Sequence, residues 1–190
     1  MFRYRSYTPI PFLVLIVIFS RPTAVSMLLG IVILAAGEAI RFWGVSIAGS
    51  ETRTTGSVGG TYLITNGPFA YVRNPLYLGN MLLYAGVGVM SMALFPWLAI
   101  IAVACFYLQY YLIVTQEEQY PARTFGAEYE TYRAYVRRFV PRMMPYVGPH
   151  APPKQATFGE GLASERRTLQ AIGLVVVFLV VRFIVSANAG

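Results

Sequence analysis

Histidine, cysteine, lysine and aspartate are almost missing from this chain: His150, Cys105 and Lys154 each occur once, and every acidic residue is a glutamate. A lone cysteine inside an apolar run builds no disulfide framework. Without cysteine pairs or clustered histidines there is no spacing for zinc, haem or dithiol redox chemistry, so no metal is expected. Charge is scarce as a whole, at 12% of residues against 56% hydrophobic. Runs such as FLVLIVIF, MLLGIVILAAG and LVVVFLVV therefore point to lipid as the solvent, in one compact helical membrane unit. No internal repeat stands at a solenoid period.

The charges that are present add to +7, and their positions are informative. Arg3 and Arg5 precede the first apolar run, and Arg53 and Arg73 lie between the second and third. Arg123, Arg133, Arg137, Arg138, Arg142, Lys154, Arg166 and Arg167 follow the fourth, and only Arg21 falls among the opposite loops. The positive-inside rule places the N terminus, 49–74 and 116–168 in the cytoplasm. Membrane topology accounts for the arginines, so no nucleic-acid partner is expected.

The fold expected is all-α and polytopic, with about five transmembrane helices, a cytoplasmic cofactor-binding loop and an amphipathic helix. The first apolar run, Ile10 to Phe19, is short for a crossing. Basic residues precede it as in a signal peptide, but Arg21 and Pro22 occupy the place of a small-residue cleavage site, which favours a tilted or hairpin helix. A second helix from Thr23 to Ala48 carries Glu38 and Arg41 three positions apart, close enough to neutralise each other. GSETRTTGSVGG reads as a polar loop. Helices from Pro75 to Met92 and from Pro96 to Val114 form an antiparallel hairpin. The segment TQEEQYPARTFGAEYETYRAYVRRFVPRMMPY places Tyr129, Tyr132, Arg133 and Val136 at helical offsets, as in an amphipathic helix near the headgroups. The domains expected are a core at 1–146, a linker at 147–168 and a C-terminal helix at 169–190, in which Arg182 snorkels outward.

The polar cluster GPFAYVRNPLYLG interrupts this apolar pattern. Gly67 and Pro68 make a turn, Asn74 suits a helix N-cap and Pro75 the first helical position. The amides and positive dipole end of that helix, with Arg73 beside them, would hold a carboxylate or phosphate. Tyr71 and Tyr77 offer ring faces to a cation or a flat heterocycle. Helix capping, lipid-bound arginine and an interfacial tyrosine belt explain the same residues without a ligand. A second cluster, the adjacent acids Glu117 and Glu118, falls on the same expected side. A ligand with carboxylate, ammonium, sulfonium, hydroxyls and purine would use both.

At these residues the chain resembles the membrane-embedded methyltransferases that include isoprenylcysteine carboxyl methyltransferases and phospholipid N-methyltransferases. The likeness rests on NGPFAYVRNPLYLG, on QEEQYPARTFGAEYETYRAYVRRFVP and on the hairpin between them, and covers Tyr62 to Pro145. Each motif is weak singly, but their order and spacing are fairly specific. The resemblance implies S-adenosylmethionine at the cytoplasmic face, held by Tyr62, Leu63, Ile64, Phe69, Arg73, Asn74, Tyr77, Gly79, Glu117 and Glu118. Two positions depart from the prenylcysteine branch: Asn74 replaces a histidine, as in the phospholipid N-methyltransferase form, and Ile113 occupies the place of a substrate-binding arginine.

Methyl transfer requires alignment and dryness more than an elaborate catalytic group. Glu117, Glu118 or the Tyr77 hydroxyl would take a proton from an amine acceptor. Glu38 and Arg41 would lie near the path of a lipid-like or hydrophobic acceptor arriving from the membrane. The rival is a non-catalytic scaffold or small-molecule binder that keeps the fold. A transporter is disfavoured by so few intramembrane charges. The acceptor, the nucleophile type and the oligomeric state cannot be read from the chain.

Overall fold

The structure, a computed structural model, describes residues 7–48, 62–148 and 158–188. The polar loop 49–60 and part of the expected linker lie outside the described residues. Among the described residues the chain is helical and has no strand. In chain order the helices are α1 (Pro9–Phe19), α2 (Ala24–Ala48), a 3-10 turn at Gly67–Ala70, α3 (Pro75–Ser91), α4 (Trp97–Glu117), α5 (Gln119–Phe125), α6 (Ala127–Tyr135) and α7 (Phe158–Asn188).

Five of these helices are apolar and stand where the hydrophobic runs placed them. Ala24–Ala48, Trp97–Phe125 and Gly161–Asn188 are long and apolar enough to cross a membrane. The 11 residues of α1 and 17 of α3 reach about 16 and 25 Å at 1.5 Å per residue, against about 30 Å of hydrocarbon. The helix starts follow from local chemistry. Before α2, the Thr23 amide donates to Ser26 Oγ (2.9 Å) and the Ser26 amide to Thr23 Oγ1 (3.1 Å), a reciprocal capping box. At α3 the Leu78 amide donates to the Asn74 carbonyl (3.1 Å), so Asn74 and Pro75 hold the N-cap and first helical positions.

Two boundaries differ from expectation. α7 begins at Phe158, eleven residues before the apolar run, because 158–168 carries a polar but helix-competent sequence. The single amphipathic helix is instead two short ones, broken at Gly126, whose φ of +49° suits glycine.

The chain forms two compact units: Met1–Glu38, Asn80–Tyr111 and Arg167–Gly190 make one, Ala39–Gly79 and Leu112–Arg166 the other. The first has a core of Ile16, Leu34, Leu83, Met90, Leu98 and Leu179. Its α2 and α3 backbones touch at Gly30 and Gly86, where a Cβ on Gly86 would lie 2.8 Å from the Gly30 carbonyl oxygen. Its buried serines are bonded to nearby backbone or to Arg182. Ser26 Oγ donates to the Met90 carbonyl (3.2 Å), and Ser91 Oγ donates to Gly88 (3.0 Å) while accepting from the Ala93 amide (3.2 Å). Arg182, expected to snorkel outward, donates from Nη2 to the Ser20 carbonyl (3.0 Å) and from Nε to Ser20 Oγ (3.3 Å).

The second unit packs Leu63, Ala70, Tyr129, Tyr132, Val136 and Tyr146 together. The apolar face of α6, read from sequence as facing headgroups, is thus turned inward. Tyr132 Oη donates to the Phe69 carbonyl (2.7 Å), fastening α6 to the 3-10 turn.

Candidate functional site

The second unit gathers most of the polar residues singled out in the sequence. The approach to α3 is laid against the segment after α6 by four backbone bonds. The amides of Arg73 and Asn74 donate to the carbonyls of Arg137 (2.9 Å) and Arg138 (3.2 Å), and those of Arg142 and Tyr146 donate to Tyr71 (3.0 Å) and Ala70 (2.9 Å). Gly67, at φ +56°, starts the 3-10 turn with no room for a side chain, since a Cβ would meet Ile47 at 2.7 Å. Trp43 lies beside Tyr71, ring centroids 6.0 Å apart.

On this frame the helix start and the acidic couplet meet. Tyr77 Oη donates toward both oxygens of Glu117, at 2.9 and 3.0 Å. Glu117 ends α4 and Glu118 caps α5, so the two carboxylates leave the backbone at a break between helices. Glu118 sits between two guanidinium groups, with Arg73 Nη2 3.0 Å from Oε1 and Arg138 Nη2 2.8 Å from Oε2. Arg138 also donates from Nε to the same Oε2 (2.9 Å) and from Nη1 to Thr115 Oγ1 (3.1 Å), and Arg73 Nη1 donates to the Arg133 carbonyl (2.9 Å). In this knot two guanidinium groups share one carboxylate through charge-assisted bonds, with the Glu117 carboxylate next in the chain.

These contacts occupy the polar groups just ahead of α3. Arg73 does not stand open beside the helix end, since its guanidinium holds Glu118 and the Arg133 carbonyl. The Arg73 and Asn74 amides, which precede α3, are given to the chain's own carbonyls, and Asn74 Nδ2 also points to the Arg138 carbonyl (3.4 Å).

The remaining residues fall into place around the knot's unit. Leu63 is buried in the core, Gly79 is buried in α3, and Tyr62, Ile64 and Phe69 are half-buried. Buried hydroxyls of Tyr62, Thr65 and Ser46, with Arg73 Nε, have no hydrogen-bond partner among the described residues. Burial pushes the Tyr132 phenol well above its usual range, and burial with the neighbouring Glu118 carboxylate does the same for Tyr129. Both phenols therefore stay protonated well into the alkaline range, Tyr132 as the donor to the Phe69 carbonyl.

Glu38 belongs to the first unit and Arg41 to the second. Arg41 Nη2 pairs with Glu165 Oε2 at 2.6 Å, with the Glu165 side chain 2% exposed. The sequence reading missed Glu165, Arg138 and Thr65. Glu165 lay in the expected linker, yet Gly161 and Glu165 are both buried four residues apart on one face of α7, and that spacing was the available signal.

Comparison with known proteins bears on this arrangement. Residues 25–128, more than half of the chain, match the family described as Phospholipid methyltransferase. The cobalt-zinc-cadmium resistance protein CzcN of Cupriavidus metallidurans is 35% identical over 86 residues, 45% of this chain and 38% of that relative's length. No solved structure matches significantly. Among the described residues no group of three or more His, Cys, Asp or Glu side chains is placed to hold a metal ion.

Proposed function

The chain belongs to the phospholipid methyltransferase family, and from that premise we propose that it is an integral membrane methyltransferase. It uses S-adenosylmethionine and acts on a lipid-like or hydrophobic small-molecule acceptor at the cytoplasmic face. The observation that carries this reading is the junction of the α3 start with the acidic couplet, through Tyr77 on Glu117 and Arg73 on Glu118.

The residues present fit the cofactor. It carries an ammonium and ribose hydroxyls for Glu117, a carboxylate for the Arg73 guanidinium, and heteroatoms for the unpartnered buried hydroxyls of Tyr62 and Thr65. Leu63, Ile64, Phe69, Asn74 and Gly79 complete the site, with Leu63 and Phe69 supplying apolar wall. When bound, S-adenosylmethionine supplies a methyl carbon activated by a positive sulfur and displaced in line. The protein's task is then orientation and exclusion of water. Tyr77 holds the Glu117 carboxylate in one direction, and that carboxylate accepts the proton an amine acceptor releases. Arg41, fixed by Glu165, binds the acceptor's polar end.

Calorimetric titration of the purified chain with S-adenosylhomocysteine tests the cofactor site. One-site binding that is lost in Glu117→Gln supports it, and a folded chain that takes up no ligand leaves a non-catalytic scaffold. Labelled S-adenosylmethionine incubated with host lipid extract then identifies the acceptor. Full activity and unchanged acceptor affinity in Arg41→Gln would remove Arg41 from its role.

A further inference from the structure

The segment after α6 sorts its apolar residues into two sets. Phe139 and Tyr146 are each only 8% exposed and pack inward. Val140, Met143, Met144 and Val147 turn the other way, 55%, 96%, 74% and 83% exposed. This outward set is not a loose tail, because the Arg142 and Tyr146 amides between its members are bonded to Tyr71 and Ala70. Pro141 and Pro145 further restrict the backbone. A fixed, outward apolar cluster marks an interaction surface.

Its charge says what covers it. Arg137 is exposed and Arg142 half-buried, and neither forms an ion pair among the described residues, unlike Arg133 with Glu130 or Arg138 with Glu118. No acidic residue occurs between Glu130 and Gly148. Two copies meeting through this face would bring like charges together. An anionic lipid leaflet complements both features, taking methionine and valine side chains below the headgroups and arginines at the phosphates.

We infer that residues 140–147 form a wedge that enters an anionic phospholipid leaflet, with Arg137 and Arg142 on the lipid phosphates. The lipid-contacting element of this region is thus the non-helical 140–147 and not α6, whose apolar face is already used. Because the wedge shares backbone bonds with residues 70 and 71, lipid contact and the approach to α3 are mechanically joined. The inference does not depend on methyl transfer.

The test uses the full chain in nanodiscs. In a Cys105→Ala background, Met143→Cys is labelled with an environment-sensitive fluorophore, and Glu128→Cys on the exposed side of α6 serves as the reference. Nitroxide-bearing lipid should quench the probe at 143 several-fold more than at 128. The difference should grow when phosphatidylglycerol replaces part of the phosphatidylcholine. Arg137→Gln with Arg142→Gln should remove that growth and leave the quenching in phosphatidylcholine. Equal, weak quenching at both positions overturns the inference. So does protection at 143 that rises with protein concentration in detergent, which would make the face a contact between copies. If Met143→Cys does not fold, Val147→Cys gives the same readout, with the same outcomes deciding.

Discussion

Both units bury hydroxyls, but most of those in the second lack the partners that the serines of the first have. In the first, Ser20, Ser26, Ser91 and Arg182 are closed on one another and on nearby carbonyls. In the second, Tyr62, Thr65, Ser46 and Arg73 Nε are buried without a partner beside the ion pairs of Glu118 with Arg73 and Arg138. A closed set lowers the cost of burial and fixes helix ends. An open set is costly in the free protein and lowers that cost by binding something polar. Serines and arginines appear in both sets, so the contrast does not follow from residue type.

The largest expected effect tests the knot itself. Glu118→Ala removes the carboxylate that Arg73 and Arg138 both hold and should lower unfolding stability by about 3–5 kcal/mol in a thermal or denaturant melt. Arg182→Met, which only orphans neutral Ser20 acceptors, should cost about 1–3 kcal/mol. Equal losses would erase the distinction between the units. Next, Gly86→Ala drives a methyl to within 2.8 Å of backbone and should cost about 1–3 kcal/mol. It should leave S-adenosylhomocysteine affinity untouched, because it perturbs only the closed unit.

A sharper test exchanges like for like. Ser26→Ala removes a satisfied hydroxyl and should cost about 1 kcal/mol with no change in nucleoside affinity. Thr65→Val removes an unpartnered one, so stability should hold or rise while affinity falls about three- to tenfold. The smallest effect is absent at pH 7. Tyr129 and Tyr132 ionise later in the folded chain than in the unfolded one, so the unfolded state loses protons first above pH of about 10. Stability should fall there by about 1.4 kcal/mol per pH unit for each tyrosine. Tyr129→Phe should reduce that slope in alkaline melts.

Much of the helical architecture was legible because hydropathy and capping are local. Asn74 and Pro75 mark the start of α3, Ala48 the end of α2, and the hairpin falls where SMALFP puts it. The meeting of Tyr77 with Glu117 was legible only as membership of two clusters, since nothing local states that residues 40 apart touch. Three features were hidden for physical reasons. The start of α7 carries a polar face, so hydropathy saw the helix only from residue 169. Arg138 looked like one of many interfacial arginines until its carboxylate neighbour was known. The tyrosines of α6 have the periodicity of a membrane-facing stripe, and a helix pattern does not say whether core or lipid receives it.

The bonds that join residues 70–74 to 137–146 also set an order of events during synthesis. Asn74 waits for a carbonyl 64 residues further on, and translation at about 5–20 residues per second makes that a delay of seconds. Until the chain past Tyr146 has emerged, the start of α3 carries amides without their acceptors and an arginine without its acid. A ribosome stalled in that interval would leave inserted helices that cannot yet assemble their polar centre.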